Sequence, residues 1–190
     1  MINSNAQTIV QNLMDLMQKK GGDEYAGEKV TQLQHMYQAA ELARENGYSD
    51  KLVLAAFLHD VGHIMEELTE ENGMDGWGMI DHEKAGGQFL RNLGFSNEVA
   101  ELVESHVMVK RYLTWKDKAY YDNLSEASKK TLEYQGGVMS NEEALEFEKD
   151  PLLEDKIKLR QLDDQAKLEE WKVGSLDFYK DLMLGHLESQ

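Results

Sequence analysis

The chain has 190 residues, 41% of them hydrophobic, which is enough for one domain spanning residues 1–190 and too little for a second independent core. It has no cysteine, which excludes disulfides, iron–sulfur clusters and thiol nucleophiles, so any metal must bind to imidazole and carboxylate groups. A net charge of −16, together with the lack of a signal-type N-terminus and of a membrane-spanning segment, predicts a cytoplasmic protein that binds neither nucleic acid nor membranes.

Two amphipathic helices are predicted before residue 50. Ser4 or Asn5 caps the first, whose apolar residues recur at three- and four-residue spacings as far as Gly21. The second carries an apolar stripe on its inward side and ends at Gly47. His35 lies beside that stripe, so its imidazole is expected close to the interior.

The segment from Asp50 to Gly62 predicts the central helix of the fold. Asp50 serves as its N-cap and Gly62 as its stop, and the residues between them are apolar on nearly every side, so the helix belongs in the core. The helix ends in His59 and Asp60, whose burial costs about 2 to 7 kcal/mol unless they are paired. A metal ion would pair with both. The alternative is a core histidine bonded to a backbone carbonyl beside an aspartate.

Two more helices are predicted between residues 80 and 110. Residues 62–80 show no clear periodicity, and we interpret them as a loop and candidate lid. Asp81 caps the first helix after this loop, with His82 in its first turn and Gly94 at its end. Ser96 caps the second helix, in which His106 shares a face with the apolar residues.

The C-terminal half of the sequence predicts four helices and no strand. Their expected starts are Ser125, Ser140, Asp150 and Ser175. Glu143 follows Ser140 at the capping-box spacing, and Pro151 suits the first helical position after Asp150. No run of period-two alternation is long enough for a strand, so the predicted fold class is all-α, a helical bundle.

Imidazoles from different predicted helices, with carboxylates beside them, are typical of a metal centre in a helical domain. The candidate ligands are His35, His59, Asp60, His82, His106 and Asp163. We prefer Asp163 to Asp164 because it lies four residues after Leu159 on the same helix. Two metals bridged by Asp60 would use all six ligands and leave room for a substrate. One metal held without His82 and His106, which would then serve the substrate, is the alternative.

The ligand pattern resembles a known superfamily. His35, the His59–Asp60 pair and Asp163 resemble the ligands of the HD-domain superfamily, an all-helical bundle that binds one or two metals. With His82 and His106 the chain resembles the dinuclear members. The fold implied is also similar to that of myo-inositol oxygenase, a mixed-valent diiron enzyme. Phosphohydrolases and phosphodiesterases of the superfamily use the same ligands, so this pattern leaves the reaction open.

Further segments resemble one branch of the superfamily, the HD-domain oxygenases that cleave the carbon–phosphorus bond of hydroxyphosphonates. These segments are Tyr25-Ala-Gly-Glu28, H-D-V-G-H from His59, H-V-M-V-K-R-Y-L from His106, S-K-K-T-L-E-Y-Q-G-G from Ser128, and residues 160–167. Together they extend over essentially the whole chain. One departure is Leu162, which stands where an aromatic residue is expected.

The resemblance implies a role for each site residue. One iron of an Fe(II)/Fe(III) pair would be held by His35, His59, Asp60 and Asp163, and the other by Asp60, His82 and His106. Tyr25 and Glu28 would gate the site and meet a substrate amine, and His63 would join them as a catalytic residue. The residues implied for the phosphonate are His63, Lys110, Ser128, Thr131, Gln135 and Arg160.

The implied reaction has a checkable electron balance. Conversion of 2-amino-1-hydroxyethylphosphonate to glycine and phosphate oxidises the carbinol carbon by four electrons, which one O2 accepts completely. The partners expected are therefore a small organophosphonate and O2, with no external reductant. A trimethylammonio analogue of the substrate, a metal-dependent HD phosphohydrolase and a regulatory domain without catalysis are the alternatives.

Overall fold

Helices form all the regular secondary structure in the described part of the chain. The computed structural model describes residues 4–25, 27–65, 69 and 73–190. Within these ranges there are eleven helices and no strand beyond two isolated β-bridges, which confirms the all-α prediction. The helices are α1 (Ser4–Lys20), α2 (Gln32–Glu45), α3 (Asp50–Leu58), α4 (Val61–Met65), α5 (His82–Asn92), α6 (Asn97–Lys116), α7 (Lys118–Asn123), α8 (Glu126–Tyr134), α9 (Asn141–Phe147), α10 (Leu153–Gln165) and α11 (Asp177–Glu188).

The core is built around α3. Every residue from Leu52 to Leu58 is at most 2% exposed, because α2, α6, α10 and α11 all pack against this short helix. Burial of each large apolar side chain stabilises the fold by about 1.5 to 3 kcal/mol. A smaller apolar cluster, centred on Tyr112, Met139 and Ala144, lies under α9. The end of α3 is thus fixed on all sides, and His59 and Asp60 follow directly after it.

Both predicted ends of the central helix were wrong by a residue or more. Ser49, rather than Asp50, is the N-cap, since its hydroxyl accepts from the amide of Leu52. Gly62 does not stop the helix but lies inside α4. A Cβ at this position would lie 2.0 Å from the carbonyl oxygen of His82, so glycine is required by the close approach of α4 to α5.

Part of the predicted loop and lid, residues 66–68 and 70–72, lies outside the described residues. The rest is less irregular than expected, because α4 occupies its start and a bridge joins Gly73 to Met79. Asp81 precedes α5 as predicted, but its side chain makes no capping hydrogen bond. Its backbone is left-handed instead, with φ of 56°.

The other helix starts show which capping signals hold. Ser96, Ser125 and the Ser140 capping box are confirmed by their hydrogen bonds. The Asp150–Pro151 start was wrong: α10 begins at Leu153 because Pro151 lies in a preceding turn, where Asp150 accepts from the amide of Leu152. The Ser175 start was also wrong, since α11 begins at Asp177. The side chain of Ser4, a candidate cap for α1, lies outside the description.

Two further features were not predicted. Helix α7 has no buried residue and therefore no apolar stripe in the sequence. His186 accepts from the amide of Ser96 and stacks on Phe95, so it ties α11 to the start of α6. No helix in the described ranges is both long and apolar enough to cross a bilayer.

Candidate metal centre

Four buried histidines are held in one tautomer by the backbone. Their Nδ1 atoms lie 2.8 to 3.0 Å from carbonyl oxygens, and a carbonyl can only accept, so each Nδ1 carries the proton. The pairs are His35 with Ala166, His59 with Ala56, His82 with Met79, and His106 with Val103. Each Nε2 atom therefore faces the centre of the domain, as a metal ligand requires.

The first cluster of ligand atoms comes from α2, the end of α3, and α10. The Nε2 atoms of His35 and His59 are 3.0 Å apart. His35 Nε2 lies 3.4 Å from Oδ2 of Asp60 and 3.3 Å from Oδ1 of Asp163. His59 Nε2 lies 3.3 Å from the same oxygen of Asp60. Four side chains thus converge on one point.

The second cluster comes from α5 and α6 and shares Asp60 with the first. The Nε2 atoms of His82 and His106 are 2.9 Å apart, and each lies 3.4 Å from Oδ1 of Asp60. Asp60 therefore directs Oδ2 to one cluster and Oδ1 to the other. This arrangement suits a carboxylate that bridges two cations.

The clusters fit metal ions rather than a hydrogen-bond network. Both oxygens of Asp60 and Oδ1 of Asp163 are buried and have no hydrogen-bond partner among the described residues. The Nε2 atoms of each histidine pair face one another at about 3 Å, and their lone pairs repel unless a proton or a metal ion lies between them. Two ligands at right angles, each about 2.1 Å from a metal, are about 3.0 Å apart, which is the spacing found here. Histidine and carboxylate ligands suit iron, manganese or zinc.

The pKa values of two of these histidines are shifted in opposite directions in the metal-free protein. Burial opposes protonation of His59, but the adjacent Asp60 carboxylate raises its pKa to about 9. Burial lowers the pKa of His106 to about 3, so its imidazole is neutral at physiological pH and available as a ligand. A metal binding to the first cluster would displace the proton of His59.

Asp163 and Asp164 have different surroundings. Asp163 directs Oδ1 into the first cluster and accepts with Oδ2 from Nη1 of Arg160 at 2.6 Å. Asp164 turns away, accepting from Nη2 of Arg160 and, at 2.6 Å, from the hydroxyl of Tyr120. Arg160 is 4% exposed and donates to both carboxylates, so it fixes the orientation of Asp163.

A small cavity of about 50 Å³ lies against the second cluster. The eight non-metal residues implied by the resemblance all line it: Tyr25, Glu28, His63, Lys110, Ser128, Thr131, Gln135 and Arg160. The ring of His63 stacks on His82 with 3.8 Å between ring centroids, and that of Tyr25 stacks on His35 at 4.1 Å. The cavity therefore gives a small molecule access to the metal ligands.

Lys110 is the most deeply buried amine of the cavity wall. It is 3% exposed and donates to Oγ1 of Thr131 at 2.8 Å, with the carbonyl of Ser128 at 3.4 Å. Burial, and then the nearby Arg160, lower its pKa to about 7. Among the residues that the structure describes, no carboxylate forms an ion pair with this amine, and an anionic ligand would supply the counter-ion.

The sequence of this chain matches a known domain family. The HD domain matches residues 32–157, which include His35, the His59–Asp60 pair, His82 and His106. The chain belongs to the HD-domain family. Asp163 lies just beyond the matched residues.

Three relatives of this HD domain extend over most of the chain. An uncharacterised protein of Acanthamoeba polyphaga mimivirus is 44% identical over 97% of this chain and 86% of its own length. A [1-hydroxy-2-(trimethylamino)ethyl]phosphonate dioxygenase (glycine-betaine-forming) of Leisingera caerulea is 39% identical over 86% and 82%. A hydroxymethylphosphonate dioxygenase of Gimesia maris is 40% identical over 90% and 84%. The HD domain is thus similar to enzymes named as phosphonate dioxygenases.

Sequence reasoning gave no site role to several residues that line the cavity of this HD domain, among them Lys167. Lys167 lies just after α10 and donates to Glu28, and Trp77 packs on Gly27, where a Cβ would come within 2.5 Å of the indole. Hydrophobic periodicity could not indicate Lys167, because this charged residue follows the end of α10.

Proposed function

We propose that this HD domain is an O2-dependent diiron oxygenase that cleaves the carbon–phosphorus bond of a 1-hydroxyalkylphosphonate. The substrate proposed is 2-amino-1-hydroxyethylphosphonate, and the products are glycine and phosphate. The observation that carries the proposal is the carboxylate of Asp60, whose two oxygens face two separate ligand clusters beside a cavity with cationic walls. The names of two relatives support it, since both are phosphonate dioxygenases.

The metal assignment follows the two clusters. One iron would be held by His35, His59, Asp60 and Asp163, and the other by Asp60, His82 and His106. When bound, the pair supplies the Lewis-acid and redox chemistry that lets one O2 accept four electrons from the carbinol carbon. The second cluster has fewer protein ligands and lines the cavity, so the substrate would approach from that side.

The chain's own residues would bind and orient the phosphonate. The named substrates of the two relatives share a phosphonate, and the cavity offers it the amine of Lys110 and the hydroxyl of Thr131, which are 2.8 Å apart. Arg160 would act mainly by holding Asp163, since its guanidinium already donates to Asp163, Asp164 and Tyr120. The ring of Tyr25 stacks on His35 and that of His63 on His82, so both rings would limit the access of water to the metals.

Glu28 is the candidate partner of the substrate amine. Its side chain is 14% exposed and lies in the cavity wall, where a carboxylate would bind an ammonium by a charge-assisted hydrogen bond. This contact would separate the aminoethyl substrate from hydroxymethylphosphonate, which has no cation. A trimethylammonium group cannot donate such a hydrogen bond and would depend on aromatic faces instead.

The proposal is tested by phosphate release with and without oxygen. Iron-loaded protein should release one phosphate from 2-amino-1-hydroxyethylphosphonate for each O2 consumed, and none under anaerobic conditions. Asp163→Asn should abolish this activity, whereas the neighbouring Asp164→Asn, which leaves the ligands in place, should retain a measurable part of it. Phosphate released without oxygen would refute an oxygenase and indicate hydrolysis.

A further inference from the structure

Lys167 occupies a cation-binding corner of the cavity. Its Nζ lies 3.0 Å from Oε1 of Glu28 and 3.2 Å from Oγ of Ser128, and 5.8 Å from the centroid of the Tyr25 ring. Ser125 donates to the same oxygen of Glu28 at 2.7 Å. The side chains of Lys167 and Glu28 are only 15% and 14% exposed, so this ion pair is largely screened from water.

The groups around the Lys167 ammonium are those that would bind the ammonium of a ligand. A carboxylate, a hydroxyl oxygen and the face of an aromatic ring are all favourable partners for a primary ammonium. Glu28 can therefore pair either with Lys167 or with a cation that enters the cavity. A neutral or purely anionic ligand would leave the pair between Lys167 and Glu28 intact.

We propose that Lys167 competes with the cationic group of a substrate for Glu28 and thereby sets the selectivity between 1-hydroxyphosphonates with and without an ammonium. This inference rests on the proposed function, which places the phosphonate in this cavity. Binding of an aminoethyl substrate would exchange ion pairs, with Glu28 passing to the substrate ammonium and Lys167 becoming a further cation for the phosphonate. Hydroxymethylphosphonate would bind without any exchange.

This exchange of ion pairs determines how much binding free energy a ligand gains from its ammonium group. In the wild-type protein, a new contact to Glu28 replaces the existing one from Lys167 at 3.0 Å, so the net gain in binding free energy is smaller than for a contact to a carboxylate without a cationic partner. Without Lys167, the nearly buried carboxylate of Glu28 would keep the hydrogen bond from Ser125 but have no cationic partner, and a ligand ammonium would gain the full ion pair. Removal of Glu28 would abolish the gain whether or not Lys167 is present.

The test compares two ligands by calorimetry under anaerobic conditions, so that binding is measured without turnover. For iron-loaded wild type, Lys167→Met, Glu28→Gln and the double variant, the readout is the Kd of hydroxymethylphosphonate divided by the Kd of 2-amino-1-hydroxyethylphosphonate. We expect Lys167→Met to raise this ratio about tenfold and Glu28→Gln to lower it toward one. The double variant should match Glu28→Gln, because Lys167 acts through Glu28.

Two further variants control for charge and folding. Lys167→Arg keeps the cation and should keep the wild-type ratio. Lys29→Met removes an exposed lysine that pairs with Glu169, and should change neither Kd. A far-ultraviolet circular dichroism spectrum like that of wild type identifies the folded variants.

The outcomes separate this inference from the proposed function. A ratio unchanged by Lys167→Met, with both ligands weakened equally, would overturn the competition and make Lys167 a simple phosphonate contact. Binding of both phosphonates in that case would leave the proposed function standing. If neither phosphonate bound to the wild-type protein, the proposed function and this inference would both be wrong.

Discussion

Lys110→Met should stabilise the metal-free protein at neutral pH. Burial lowers the pKa of Lys110 to about 7, below its ordinary value of 10.5. Between these values the unfolded chain holds the proton and the folded protein releases it, so folding is penalised. The penalty is complete below pH 7 and disappears as pH rises through 10.5. Methionine has a similar length and carries no charge, so it removes the penalty at every pH.

The magnitude follows from linkage. At 1.36 kcal/mol per pKa unit, the full penalty is about 5 kcal/mol, of which about 4 remains at pH 7 and about 2 at pH 9. Loss of the hydrogen bond to Thr131 costs about 1 kcal/mol in return. Lys110→Met should therefore raise the free energy of unfolding by about 3 kcal/mol at pH 7 and by about 1 kcal/mol at pH 9.

Urea unfolding of chelator-treated protein at pH 7, 8 and 9 measures the difference in free energy of unfolding between Lys110→Met and wild type. The contributions of the other titrating groups cancel in this difference because both proteins contain them. Lys130→Met, an exposed lysine that pairs with Glu133, is the matched control and should show no comparable pH trend. The same Lys110 variant should lose phosphonate affinity. The reasoning would be refuted by a Lys110→Met protein that is less stable at pH 7, or whose stability difference from wild type is constant with pH.

Three further predictions concern the metals and their frame. Asp60→Ala should lower the metal content of the purified protein from two ions per chain to less than one, because both clusters lose a ligand. His106→Ala removes a ligand from the second cluster alone and should retain one ion. Equal losses in the two variants, measured by elemental analysis, would contradict the bridging role of Asp60. Gly62→Ala should destabilise the protein by about 3 kcal/mol or more in urea, since its methyl group would lie 2.0 Å from the carbonyl oxygen of His82. Gly22→Ala meets nothing within 4 Å and is its control; similar stability of the two variants would argue against the close approach of α4 to α5.

The convergence of the six candidate ligands could be predicted because most of them stand at positions that the sequence marks. His35 and His106 lie on or beside apolar faces of long helices, and His59 ends a helix that is apolar on all sides. In such places an imidazole needs a buried partner, and convergence of several predicts a metal. Asp163 could be preferred to Asp164 by its spacing from Leu159, which is fully buried in the same helix.

Other features depend on tertiary contacts that leave no periodic signal. Glycine is typical of a helix stop, but Gly62 is required by the carbonyl oxygen of His82, which lies twenty residues later in the sequence. Lys167 is one charged residue among many, and only the fold brings it to Glu28, 139 residues away in sequence. The short helix α7 buries no side chain, so hydrophobic periodicity could not reveal it.

The central claim is that six side chains from five parts of the chain hold a coupled pair of irons. Metal content combined with electron paramagnetic resonance of anaerobically prepared protein tests it most directly, with and without 2-amino-1-hydroxyethylphosphonate. We predict two irons per chain and an antiferromagnetically coupled Fe(II)/Fe(III) signal that changes when the phosphonate is added. One iron per chain, or the signal of an isolated Fe(III) that ignores the phosphonate, would contradict the account.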